Sequence, residues 1–88
     1  MPIVFVLTTQ ARRLSDEDGG IILNLKNGKY YSLNEVGDKI CDSLRTSVDL
    51  EGLVGNVAEQ YLCPPEVVRA DVEAFVQQLI ACGLVEVR

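Results

Sequence analysis

Between Leu33 and Glu35 the apolar periodicity of this chain switches from that of a strand to that of a helix, and the order of the two regimes limits the folds open to it. Upstream, Ile3 to Thr8 is apolar and β-branched. Ile21 to Lys26 alternates, with Ile21, Leu23 and Leu25 on one face and Ile22, Asn24 and Lys26 on the other. Asn27-Gly28 is a hairpin signal, because both central residues of a type I′ turn need positive φ. It predicts a two-residue turn into a short strand, Lys29 to Leu33, with Lys29, Tyr31 and Leu33 on one face and Tyr30 and Ser32 on the other. Between the first two strands, "ARRLSDEDGG" reads as a polar connection broken at Asp16 to Gly20.

Downstream the pattern is helical. Asn34 is a natural N-cap for Glu35 to Leu44, where Val36, Ile40 and Leu44 recur at helical spacing. Asp49 caps a second helix with Leu50, Leu53, Val54, Val57, Ala58 and Tyr61 on one stripe. Pro64-Pro65 opens a third, whose buried face is Val68, Val72, Phe75, Val76 and Leu79 and whose end is marked by Gly83. Leu84 to Val87 reads as a last extended segment. Strands followed by helices predict an α+β fold: a small winged-helix-like domain, residues 1–88, with a three-stranded antiparallel sheet followed by three helices. A chain of this size buries roughly two-thirds of its unfolded surface, enough for one modest core.

Composition narrows the function. Eight basic and thirteen acidic residues give a net charge of −5. The third helix, the reading helix of a winged-helix regulator, carries Glu66, Arg69, Asp71, Glu73, Gln77 and Gln78, a poor surface for a phosphate groove. No apolar stretch approaches the roughly 20 residues of a membrane helix. The opening "MPIVFVLTTQ" lacks a basic start and is followed by Arg12-Arg13, so it reads as a strand of a cytoplasmic protein. Cys41, Cys63 and Cys82 are isolated and histidine is absent, which gives no disulfide framework and no zinc constellation. Asp16-Glu17-Asp18 lacks an EF-hand's spacing and reads as a solvated turn, and Gly19-Gly20 and Gly52…Gly55 match no phosphate loop. The expectation is a binding protein with no catalytic residue, metal or cofactor. Its informative features are the two adjacent tyrosines, one directed to the core and one exposed, and Asp71 beside the apolar stripe of the third helix. Asp71 either pairs with a nearby basic group or contacts a docked peptide.

"GGIILNLKNGKYYSLNEVGDKI", "DLEGLVGNVAEQY" and "VVRADVEAFVQQLIACGLVEV" together resemble the PqqD-like family over residues 19 to 87. The family's shape is a strand, a glycine turn, Y-x-LN-x-x-G, a helix, and a final D-V-x-x-F-V-x-x-L-x-x-x-GL. Here the first block is Leu33-Asn34…Gly37 and the second is Asp71-Val72…Phe75…Leu79…Gly83-Leu84. The resemblance implies a RiPP recognition element, a domain that binds the leader of a ribosomally made precursor peptide. The strand segment looks closer to the stand-alone leader-binding proteins of lasso-peptide pathways. These present the precursor to a separate leader protease. The alternative is a PqqD-type chaperone that presents a precursor to a radical enzyme.

Under that resemblance the leader adds as an antiparallel strand beside Lys29, Tyr30, Tyr31, Ser32 and Leu33, against the third helix. One shoulder of that helix carries Val67, Asp71, Ala74 and Gln78, and Phe75 floors the groove. Val76 and Ile80 form the other shoulder. The first is the expected wall, because it holds the motif aspartate.

Overall fold

The computed structural model describes residues 3–16 and 19–88. Glu17 and Asp18, the centre of the acidic run, lie outside the described residues, as do Met1 and Pro2. Strands β1 (Val4–Leu7), β2 (Ala11–Asp16), β3 (Gly19–Asn24) and β4 (Tyr30–Leu33) come first. Helix α1 (Glu35–Ser43), a short β5 (Val48–Asp49), α2 (Leu50–Tyr61), α3 (Pro65–Ala81) and β6 (Val85–Val87) follow.

Each helix starts and stops where side-chain chemistry dictates. Asn34 Oδ1 accepts from the Gly37 amide at 2.7 Å, and Asp49 Oδ1 accepts from the Gly52 amide at the same distance. Each cap satisfies one of the amides a helix start leaves unpaired, typically worth about 1 kcal/mol. Pro65 occupies the first turn of α3, where its missing N–H costs nothing. Past the other end Gly83 adopts φ +76°, so that the Leu84 amide reaches back to the Leu79 carbonyl at 2.9 Å. Among the described residues, no helix is long and apolar enough to cross a membrane.

The α+β class holds, but the strands are distributed differently from the single sheet expected. There are two three-stranded antiparallel sheets, ordered β5-β1-β6 and β2-β3-β4. The first strand joins the end of the chain instead of the hairpin: Phe5 lies opposite both Val48 and Val87, and Val4 and Arg88 exchange backbone bonds at 3.0 and 2.8 Å. Residues 11 to 16, expected as a connection, form β2 and pair with β3 from Ala11↔Asn24 to Asp16↔Gly19. The inward residues of β2 include Ala11 and Arg13, and Arg13 Nη1 meets Asp38 at 2.9 Å while its Nη2 meets Asp42 at 2.9 Å. A strand whose core-facing side chains include an alanine and a paired arginine has no apolar alternation to read.

The expected two-residue turn is also corrected. The loop is Leu25 to Gly28: the Asn24 amide bonds the Lys29 carbonyl at 2.8 Å, and the Gly28 amide bonds the Asn24 carbonyl. Only Gly28 in this loop has positive φ, at +74°, so the geometry is a helical turn closed by one left-handed residue. Asn24 is buried and makes the longer loop possible. Its Oδ1 accepts from the Lys26 amide, and its Nδ2 donates to the Cys82 carbonyl at the end of α3, both at 2.9 Å.

The core lies between the three helices and the inner faces of the two sheets. Ile22 and Leu33 enter it from β3 and β4, Ile40, Cys41 and Leu44 from α1, and Leu53, Val54 and Val57 from α2. Val72, Val76 and Leu79 of α3, with Leu84 and Val85 beyond it, complete the cluster. Pairing of β3 with β2 and β4 leaves β4 as one edge of its sheet, and α3 runs alongside.

Candidate functional site

The free edge of β4 is set by register. Since Asn24 and Lys29 are a bonded pair, alternation makes Ile22↔Tyr31 and Gly20↔Leu33 bonded pairs as well. Tyr30 and Ser32 occupy the intervening positions, so their N–H and C=O groups point away from β3. That edge carries unpaired backbone donors and acceptors over the length of the strand.

Beside the edge runs a groove of about 410 Å³ lined by Tyr30, Tyr31, Ser32, Leu33, Phe75, Gln78, Leu79 and Cys82. Tyr31 turns inward and packs on the core, whereas Tyr30 is 67% exposed. The Tyr31 hydroxyl faces the Cys82 thiol across the groove. That contact, with burial and the thiol's charge behind it, raises the phenol above its ordinary value. No lysine, arginine, aspartate or glutamate lines this groove. An extended peptide alternates its side chains, so every second one would enter this groove.

At the Leu33 end the groove meets a second, larger cavity of about 510 Å³ between the three helices, with Phe75 in the wall of both. Asn34, Val36, Gly37, Tyr61, Val67 and Asp71 are among its lining residues. Gly37 explains part of the motif. A Cβ there would stand 3.1 Å from Phe75 Cζ and 3.2 Å from Asn34 Oδ1, so the glycine lets the Phe75 ring lie against the start of α1. The Tyr61 hydroxyl is buried with no hydrogen-bond partner among the described residues. Burial, then the nearby Glu35 carboxylate, pushes its phenol above the ordinary value and so opposes ionisation.

Of the residues singled out from sequence, Tyr30, Tyr31, Ser32, Leu33, Phe75 and Gln78 come together in the groove beside β4. Val67 and Asp71 line the adjoining cavity instead. Lys29 is exposed just ahead of β4 and is not part of the strand, and Ala74 stands exposed on the same flank of α3 while lining neither hollow. The opposite shoulder is closed off, since Val76 is buried in the core and Ile80 packs against it. Asp71 is exposed and pairs with no cation among the described residues, because Arg69 is held by Glu51 of α2 at 2.6 Å. Leu79 and Cys82 were not singled out. Their spacing from Phe75 and Gln78 along α3 is the helical signal that would have found them. Among the described residues, no cluster of cysteine, aspartate and glutamate side chains is arranged to hold a metal ion.

Two solved structures share the fold: "TbiB1 in Complex with the TbiA(beta) Leader Peptide", with a TM-score of 0.82 and 23% identity over 92% of this chain and 94% of that one; and "Lasso peptide synthetase B1 complexed with the leader peptide", with a TM-score of 0.78 and 20% identity over 93% and 96%. No curated protein matches the sequence. The pattern of the family described as Coenzyme PQQ synthesis protein D (PqqD) matches residues 19–85, from the start of β3 to the start of β6. With most of its length inside that pattern, this chain belongs to the PqqD family.

Proposed function

We propose that this chain is a non-catalytic RiPP recognition element that binds the leader of a precursor peptide by strand addition to β4. The observation that carries the reading is the free β4 edge, with the Tyr30 and Ser32 backbone groups turned outward over a groove walled by α3. Membership of the PqqD family supports it, as do two structures of the same fold whose descriptions name bound leader peptides. Main-chain bonds give affinity that tolerates many sequences. Side chains entering between Tyr31, Phe75, Gln78 and Leu79 give selectivity.

In a lasso-peptide pathway the chain holds the leader so that a separate protease meets the cleavage site at high effective concentration, with no active site of its own. A second reading, favoured by the family's own description, is a PqqD-type chaperone presenting a precursor to a radical enzyme. The genes beside this one distinguish them: a leader protease and a cyclase for the first, a radical enzyme for the second.

The test is a fluorescence-anisotropy titration with the labelled leader of the precursor encoded beside this chain, with a scrambled leader as control. Saturable binding of the leader alone is expected, weakened in Tyr30→Ala and Asp71→Ala and lost in Ser32→Pro, which removes an outward amide without touching the β3 ladder. Equal binding by leader and scrambled peptide would refute recognition. Undiminished binding by a folded Ser32→Pro protein would refute strand addition at this edge.

A further inference from the structure

The two ends of the β4 groove carry opposite charge. At the Tyr30 end, Lys29 is exposed immediately before the strand and Lys26 is exposed in the loop behind it. Neither pairs with a carboxylate among the described residues. Arg12 stands in the same cross-strand row, Arg12↔Leu23↔Tyr30. At the Leu33 end, the groove opens into the cavity whose lining includes Asp71 and contains no lysine or arginine. Glu35 lies close enough to this cavity for its charge to act on Tyr61.

Two further cations are held in ion pairs, and a third lies in a different cleft. Arg69 is held by Glu51, Arg13 by Asp38 and Asp42, and Lys39 lines a separate cleft with Asp42 and Glu59. The buried Tyr61 hydroxyl, without a partner among the described residues, adds a hydrogen-bonding group to the same cavity. A chain with a net charge of −5 thus has two of its three lysines, neither in an ion pair among the described residues, at one end of the edge strand and an aspartate without a paired cation at the other.

We infer that β4 selects a peptide with a cationic side chain or amino terminus ahead of the added strand and an acidic side chain after it, and that this order fixes the antiparallel direction. The inference rests on the strand-addition reading and names the class of peptide that reading leaves open. In antiparallel addition the peptide's first residues lie beside Leu33, under Asp71 and Glu35, and its last lie beside Tyr30, under Lys29 and Lys26. The edge is short, so at about 3.3 Å per residue the two charges fall roughly five to seven residues apart. Parallel addition would bring like charges together at both ends, a destabilising arrangement. Charge order therefore specifies direction where backbone bonds alone do not.

The test is selection of random twelve-residue peptides, displayed on their encoding RNA, against the full chain. Sequences with lysine or arginine followed at that spacing by aspartate or glutamate are expected to exceed those with the reverse order by roughly fivefold, about what one exposed ion pair contributes. Asp71→Lys is expected to replace the leading cation by an acid among selected peptides, and Lys29→Glu to replace the trailing acid by a base. Both positions are exposed, and thermal melts verify that the variants fold. Selected peptides without charge order, with the reverse order, or unchanged in both variants would overturn the inference while leaving strand addition standing. Recovery of no peptide at all would overturn the strand-addition reading and this inference with it.

Discussion

Gly37 is the clearest case of one residue linking helix start, packing and groove. Its position in the first turn of α1 would ordinarily favour alanine, by about 1 kcal/mol in a helix interior. Here a Cβ would press on Phe75 at 3.1 and 3.3 Å and on the Asn34 cap at 3.2 Å. Gly37→Ala is therefore expected to lose stability by about 1 kcal/mol in urea unfolding, as the cap or the ring gives way. A stabilised variant would show that Phe75 has room to move. Cys41 gives a pH prediction. Burial pushes its thiol up from an ordinary value near 9 to about 12, with Arg13 acting against the shift and Asp38 adding to it. Below the ordinary value both folded and unfolded chains keep the proton. Above it the unfolded chain loses the proton first, so this contribution to stability is full below about pH 9 and is lost as pH rises towards 12. The stability advantage of the native chain over Cys41→Ala is expected to shrink as pH rises above about 9 in denaturant titrations, and a constant difference would contradict it.

At the scale of elements, the end of α2 holds a strained residue. Leu62 adopts φ 53° and ψ 40° while being 92% exposed, and it closes the helix by letting the Cys63 amide reach the Ala58 carbonyl at 3.0 Å. Left-handed backbone penalises any residue with a Cβ, and the exposed side chain recovers little by packing. Leu62→Gly is expected to raise the free energy of unfolding in urea by about 0.5–1 kcal/mol after glycine's added unfolded-state entropy is subtracted. Unchanged or lower stability would mean that the leucine makes contacts which offset the strain. The same scale explains why β2 was illegible and α2 was not. The apolar stripe of α2 points one way and the core lies that way. In the second sheet the rule is broken in places: Arg13 and Asn24 face inward beside Ile22 and Leu33, while Leu14, at 63% exposure, faces solvent. Polar groups are tolerated inside because each is fully engaged, Arg13 by two carboxylates and Asn24 at both ends of its amide.

At the scale of the molecule, the first and last strands close the fold. β1 lies between β5 and β6, so the chain's last segment completes a sheet begun by its first. Leu84 and Val85, just beyond α3, are 0% and 4% exposed. Burying two such side chains is worth about 3–6 kcal/mol, a large part of the stability of a small domain. A chain ending at Gly83 is expected to lose its cooperative thermal transition by circular dichroism, and retention of a sharp transition would show that the helices and the hairpin suffice. The three helices, their caps, the inward and outward tyrosines and the shortness of β4 could all be read from the sequence, because each depends on neighbours a few residues away. Periodicity, Asn34, Asp49, Pro65 and Gly83 carry that information locally. What the tertiary structure alone decided is non-local: the pairing of β1 with the end of the chain, the conversion of an arginine-rich stretch into β2, and the meeting of Leu79 and Cys82 with Tyr31 in one groove. Strand pairing and buried ion pairs join residues far apart in the chain, and no local pattern specifies which donor meets which acceptor until the core has brought them together.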